Sequence, residues 1–274
     1  MKSRISLLFA SAIVVLAGCD SSPPTEPAAT RANEPDIKMS GAGGVDPAVV
    51  RAIYSNPIRT EEARERDARS KPEVILTLLD LKPGEHVIDL LGGSGYYSDL
   101  MAAMTGPRGE VILHNNTPYD NFVRKIVQPR YEEDPIPGIR YLKRELDEMQ
   151  LEPETLDAAL MVMSYHDLYY VDPGIGFNKT DVPLFFSQVH AALKPGGRLL
   201  IVDHSAKPGA GKEDAQQLHR IEREFAIADI EGNGFRLIQS SDALSNPKDS
   251  REKLVFDADY RGKTDRFILL FEKE

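Results

Sequence analysis

The stretch HVIDLLGGSGYYSDLMA, His86 to Ala102, constrains the fold more than any other part of the chain. Its opening residues read as a buried strand, Gly92-Gly93-Ser94-Gly95 as a tight turn, and Tyr96 onward as a helix. Glycine allows positive φ and lets a ligand approach the main chain. A helix start offers free N–H groups to a carboxylate or phosphate. The arrangement suits the polar end of a nucleotide-like ligand. Taken alone, such a turn also serves as a plain strand-to-helix connection. Leu91 stands where these turns usually carry their first glycine.

The surrounding pattern repeats the strand–helix theme. A charged amphipathic helix is predicted over Thr60–Leu79. Strands are predicted over His86–Leu91, Glu110–His114, Ile139–Lys143, Leu156–Met163, Arg198–Asp203, Phe235–Gln239 and Phe267–Glu272. Helices are predicted over Tyr96–Met104, Pro118–Val127, Val182–Leu193 and Glu213–Glu231, with KPGG (Lys194–Gly197) as a turn into the fifth strand. This alternation predicts an α/β, doubly wound, seven-stranded sheet, mostly parallel, with helices on both faces. A long loop without a helix precedes the last strand, which is expected to run antiparallel. Ligands of such sheets bind at the carboxyl ends of the strands, where strand order reverses.

The N-terminus reads differently. Residues 1–18 have a basic start (Lys2, Arg4), an apolar run from Ile5 to Leu16 and small residues before Cys19. That is a secretory signal, short for a membrane span. LAGC (Leu16–Cys19) resembles the lipobox of bacterial lipoproteins, and Cys19 is the single cysteine of the chain. The resemblance implies lipidation of Cys19, a membrane partner through that lipid, and a periplasmic location. Asp20 would signal retention at the inner membrane. Residues 19–45 are rich in Pro, Ser, Ala and Gly and read as a flexible tether. The remainder, 46–274, suits one domain. Removing residues 1–18 would take away two bases and no acids, moving the formal charge from −10 to −12. An acidic chain argues against nucleic acid as a partner. No Cys/His spacing of a metal site is visible, and no metal is expected.

Three longer segments carry a family resemblance. VIDLLGGSG matches a strand–acid–glycine motif through Asp89, Gly93 and Gly95, with Leu91 in place of a glycine. LDAALMVMSYHDL (Leu156–Leu168) and ALKPGGRLLIVDH (Ala192–His204) follow in order. From about Lys71 to its end the chain resembles a class I S-adenosylmethionine-dependent methyltransferase, which implies a Rossmann-like fold. More narrowly, GYY, HDLY, VDH, LHRI and RGKTDRFILLFEK resemble a group of exported methyltransferase-like proteins.

The resemblance implies S-adenosylmethionine as cofactor and names its contacts. Gly92, Gly93, Ser94 and Gly95 would pass close to the methionine portion. Asp89 would orient that turn or accept from the ligand's ammonium. The family's ribose-binding acid falls at Asn115, whose amide lacks a carboxylate's charge. Glu145 is first choice for a contact to adenine, Asp147 second. With Leu91 and Asn115 altered, the pocket is expected to bind more weakly or select another ligand. An NAD-dependent oxidoreductase is disfavoured, because Tyr96, Tyr97 and Ser98 follow Gly95 without the required third glycine.

Methyl transfer to a small-molecule acceptor needs alignment, exclusion of water and sometimes a base. Candidate catalytic residues are His166 and Asp167 after the fourth strand and His204, beside Asp203, after the fifth. Adjacent strand residues point to opposite faces, so neither His–Asp pair need be a working dyad. His204 reads equally as a structural histidine, and His219 as structural or surface. Tyr96, Tyr97, Tyr165, Tyr169 and Tyr170 could line the pocket mouth or merely cap the sheet. RTEEARERDARS (Arg59–Ser70) reads as a solvated helix face; the family resemblance implies a lid role over the cofactor for Arg66, Asp67 and Arg69. An exported chain is separated from the cytoplasmic methyl donor, so a non-catalytic ligand-binding lipoprotein on the same scaffold is the alternative.

Overall fold

The computed structural model describes residues 53, 54, 56 and 59–274. The signal expected at 1–18, Cys19 and the tether expected at 19–45 lie outside the described residues, as does the start of the domain expected at Asp46. No helix among the described residues is long and apolar enough to cross a membrane.

Seven strands form one sheet: β1 (His86–Leu90), β2 (Glu110–Asn115), β3 (Ile139–Lys143), β4 (Leu156–Val162), β5 (Leu193–His204), β6 (Phe235–Ser241) and β7 (Arg266–Lys273). Their order is β3-β2-β1-β4-β5-β7-β6. The β1–β2, β1–β4, β2–β3 and β4–β5 pairs are parallel. The last strand, β7, runs antiparallel between β5 and β6, as its helix-free approach predicts. Strand order reverses beside β1, so a crevice is expected at its carboxyl end.

Both faces of the sheet are covered. Val87, Val111, Leu113, Leu160 and Leu200 face one apolar cluster, while Ile88, Ile112, Ala159, Met161 and Ile201 face the other. Burial on both sides explains the near-continuous apolar strands.

The helices are α1 (Glu61–Ser70), α2 (Pro72–Leu79), α3 (Tyr96–Thr105), α4 (Thr117–Val127), α5 (Val182–Ala192), α6 (Ala215–Leu218) and α7 (Arg223–Gly232). Three sequence expectations are corrected. The helix over Thr60–Leu79 is two, broken at Lys71, whose φ is 44°. Pro72 causes the break, since proline lacks a donor and disfavours α geometry in the residue before it. KPGG is a bulge inside β5, because Leu193 already pairs with Leu156. The helix over Glu213–Glu231 is also two, parted at His219, whose φ is 53°.

That second break has a tertiary cause. The Arg220 side chain is fully buried and forks onto Asp249 at 2.8 and 3.1 Å. It also donates to the carbonyls of Ser205 and Lys253. Stranding one partner of such a pair costs about 3–5 kcal/mol, well above the cost of interrupting an exposed helix. Ile221 then bonds alongside the end of β5, donating to His204 and accepting from Ala206. His219 is thereby carried to the carboxyl edge of the sheet.

Candidate active site

The glycine turn is held from three sides. Asp89, buried at the end of β1, accepts a 2.7 Å bond from the Ser98 hydroxyl on α3. Burial pushes its carboxyl up to about 6, although Ser98 and Arg66 oppose the shift. Gly92 is a steric requirement, since a Cβ there would lie 2.5 Å from Asp89 Cγ and 2.7 Å from Leu113 Cδ1. A Cβ on Gly95 would collide with the Tyr131 hydroxyl, and Gly95 has φ 86°. Gly93, with φ 60°, faces open space. Leu91 itself adopts φ 51°, a conformation glycine takes at lower cost, and is 3% exposed.

Asn115 clasps this turn. Its Nδ2 donates to the Gly93 carbonyl at 2.8 Å and its Oδ1 accepts from the Gly93 amide at 2.9 Å. A carboxylate could accept from that amide but could not donate to the carbonyl, so the amide side chain fits this double contact. Asn115 is fully buried in this role, and its neighbour Asn116 borders the crevice. The free glycine amides expected from sequence are a correction. Gly92 donates to His114 O, Gly93 to Asn115 and Gly95 to Gly92 O.

A cleft of about 330 Å³ opens at the ends of β1, β2 and β3. Leu91, Asn116, Glu145, Asp147 and Asp167 border it, with 176–181 on the outer side. Leu91 walls the cleft without filling it. Asn116 caps α4 by accepting from Tyr119 N at 3.1 Å. Glu145 Oε1 accepts from the Thr117 hydroxyl and amide at 2.5 and 3.2 Å. Both candidate acids after β3 therefore reach the same space.

A second cleft, about 350 Å³, lies at the ends of β4 and β5. His166, Asp167, His204 and Tyr119 border it, with Arg66, Arg69 and Arg266 opposite. His166 and Asp167 sit on a one-turn 3-10 helix past the end of β4, so strand alternation does not separate them. His166 Nδ1 is 2.7 Å from Asp203 Oδ1, and its backbone amide donates to Asp203 Oδ2 at 2.7 Å. Burial disfavours the charged ring, but Asp203 and Asp167 outweigh it and raise His166 to about 9. The close His–Asp contact thus joins the end of β4 to β5.

Asp167 is the hub. Burial would raise its carboxyl, yet His166, His219 and Tyr119 hold it below the usual range. Tyr119 donates to Oδ2 at 2.5 Å. Oδ1 is buried without a hydrogen-bond donor, 3.3 Å from His166 Nε2 and 3.4 Å from His219 Nδ1. His204 Nδ1 lies 2.7 Å from the Thr264 hydroxyl. Burial, with His166 and Arg266 nearby, keeps His204 well below its ordinary value and neutral.

Several expected contributors lie elsewhere. Tyr96 donates to Asp67 and lies under Arg66, while Tyr165 and Tyr169 both donate to Asp229. Tyr97 is buried and Tyr170 stacks on His219, so the five do not form one pocket mouth. The charged run Arg59–Ser70, most of which forms α1, is only partly solvated. The Arg59 side chain is buried on Asp67, and Arg66 and Arg69 wall the second cleft. Sequence reading missed Tyr119, Asn116 and the approach of His219. NTPYD (Asn116–Asp120) carries no signal that the first two border a cleft. The helix break that delivers His219 depends on the distant Asp249.

No protein-family profile matches the chain. It is 21% identical over 183 residues to the ubiquinone/menaquinone biosynthesis C-methyltransferase UbiE of Vibrio parahaemolyticus, covering 65% of each chain. It is 25% identical over 188 residues to the UbiE of Edwardsiella ictaluri, covering 67% of this chain and 69% of that one. The chain thus spans about two thirds of the length of these relatives. A SAM-dependent methyltransferase from Aquifex aeolicus superposes with TM-score 0.54 at 19% identity, over 84% of this chain and 100% of that one. The fold is the class I methyltransferase fold. Geranyl diphosphate C-methyltransferase from Streptomyces coelicolor, solved with S-adenosyl-L-homocysteine, superposes with TM-score 0.52 at 16% identity, over 88% and 94%. On a methyltransferase fold, the two clefts occupy the carboxyl edge where strand order reverses.

Proposed function

We propose that this protein transfers a methyl group from S-adenosylmethionine to a small anionic acceptor. The observation that carries the reading is the cleft of about 330 Å³ at the switch point, bordered by Glu145 and Asp147. That volume falls within the range of about 300–1,000 Å³ usual for small-molecule sites. Leu91 offers an apolar wall, and Asn116, Glu145 and Asp147 offer acceptors for hydroxyl and amino groups. These residues fit the cofactor and would hold it. When bound, the cofactor supplies an electrophilic methyl on a sulfonium.

The chain's own residues would do the rest. Arg66, Arg69 and Arg266 give the second cleft a positive wall suited to an anion. Arg266 Nε is buried with no partner, which favours an acceptor able to reach it. Asp167 borders both clefts and links the two sites. His204 borders the same cleft, where its neutral ring can hydrogen-bond the acceptor, while burial keeps it a weak base.

We also propose export and lipid anchoring at Cys19, with residence at the inner membrane and an acceptor in the envelope. LAGC, the single cysteine, Asp20 and the likeness to exported methyltransferase-like proteins support this. A second reading is favoured by one specific observation: the amides of Gly92, Gly93 and Gly95 are already engaged with His114 O, Asn115 Oδ1 and Gly92 O. On that reading the protein binds its ligand without reacting.

Calorimetric titration of the purified full chain with S-adenosylhomocysteine, S-adenosylmethionine and NAD tests the reading. Binding of both sulfur ligands and not NAD is expected. Glu145→Gln should weaken binding about tenfold, or 1.4 kcal/mol. Absence of heat with both sulfur ligands would remove the methyltransferase reading. Binding without methyl transfer to any anionic acceptor would favour the non-catalytic one.

A further inference from the structure

The three side chains His166, Asp167 and His219 point one atom each at a common centre. His166 Nε2 and His219 Nδ1 are 3.3 Å apart, and Asp167 Oδ1 is 3.3 Å from the first and 3.4 Å from the second. The triangle is nearly equilateral. N–H···O hydrogen bonds favour about 2.7–3.2 Å, so these spacings are long for proton-mediated contacts. They match a different object. A zinc-sized ion holds imidazole nitrogens at about 2.0–2.1 Å and carboxylate oxygens at about 2.0–2.2 Å. At tetrahedral angles such ligand atoms stand about 3.3–3.5 Å apart.

We propose that His166 Nε2, Asp167 Oδ1 and His219 Nδ1 bind one divalent first-row transition-metal ion, with a further coordination position open. Asp167 Oδ1 is buried and lacks a hydrogen-bond donor, a costly state that an ion at this centre relieves. The outer contacts are those of a built site. Asp203 holds the far nitrogen of His166 at 2.7 Å, a carboxylate–histidine pairing that turns Nε2 toward the centre. Tyr119 occupies the other oxygen of Asp167. The His219 ring is wedged between Tyr170 and Phe256, with centroids at 4.6 and 5.0 Å.

The donor set selects the ion class. Two imidazoles and one carboxylate suit zinc, iron, cobalt or nickel, whereas magnesium and calcium prefer all-oxygen sites. His166 and Asp167 also wall the arginine-lined cleft, so the ion would lie beside whatever anion that cleft admits. It would act there as a Lewis acid toward an acceptor oxygen. Metal binding itself does not depend on the methyl-transfer reading.

The test uses the untagged full chain, stripped with a chelator and titrated with Zn²⁺ and Co²⁺ in the absence of any S-adenosyl ligand. One Zn²⁺ per chain should survive gel filtration, and Co²⁺ should give the visible bands of a low-coordinate nitrogen–oxygen site. His219→Phe keeps the ring packing and removes the nitrogen. Together with Asp167→Asn, it should weaken Zn²⁺ binding by more than the roughly 10–100-fold typical of an outer-contact change. His86→Ala, at the exposed start of β1, should bind as the unaltered protein does. No retained zinc and no cobalt bands in the unaltered protein would overturn the proposal. Equal binding by His219→Phe, or an equal loss in His86→Ala, would overturn it too. Because the readout is metal alone, failure of methyl transfer leaves each outcome interpretable.

Discussion

The ends of β1 and β2 and the ends of β4 and β5 solve the same problem differently. At the glycine turn the donors pair inside the protein: Ser98 on Asp89, Asn115 on both polar groups of Gly93, Gly92 on His114 O. At the second region Asp167 Oδ1 and Arg266 Nε are buried without partners, and two imidazoles face one carboxylate oxygen. Buried polar groups left unpaired cost about 1–3 kcal/mol each. His114 Nδ1, at the end of β2, is also buried without a partner, but the glycine turn itself is a paired frame against which a ligand packs. The second holds stored cost that a ligand or ion can release.

The largest expected effect breaks the second region. Asp203 accepts from the His166 amide, the His166 ring and the His204 amide, all at 2.7 Å. Asp203→Ala strands these groups and should cost about 3–5 kcal/mol, read from the denaturation midpoint. A loss below about 1 kcal/mol would mean that β5 does not organise this edge.

A smaller effect sharpens the first region. Asp89 is raised from 3.8 to about 6, chiefly by burial. Its contribution is fully present below about pH 4 and is lost as pH rises through 6, since the folded state must then ionise a buried group. At 1.36 kcal/mol per unit, the contribution is at most about 3 kcal/mol. Asp89→Asn removes this titration. The stability of the variant relative to the unaltered protein should rise between pH 4 and 7, followed by urea unfolding at stepped pH. A flat difference across that window would mean that Asp89 titrates normally.

The smallest concerns the clasp. Asn115→Ala leaves both polar groups of Gly93 without their partner and should cost about 2 kcal/mol. Amide exchange at Gly93 should quicken in step. Unchanged exchange would show that the turn holds its shape without the clasp.

Much of this architecture was legible in the residues. Strand periodicity, the glycine turn and the helix-free approach to β7 are local signals, and the sheet follows from them. The departures from it have two kinds of cause. Pro72 is a local signal for the break at Lys71, whereas the break at His219 depends on Arg220 reaching Asp249, far along the chain. Asn115 reads locally as a weakened ribose contact, yet across β1 it clasps the glycine turn. His166 reads beside Asp167, but its closest carboxylate contact is Asp203 on the neighbouring strand.

Local chemistry, then, was enough to determine the alternation, the sheet and the edge where a ligand would lie, because backbone preferences act between near neighbours. Which imidazoles meet, which amides stay free and which carboxylate oxygen is left bare were decided by tertiary packing alone. Those outcomes depend on ångström distances between residues that the chain order keeps apart.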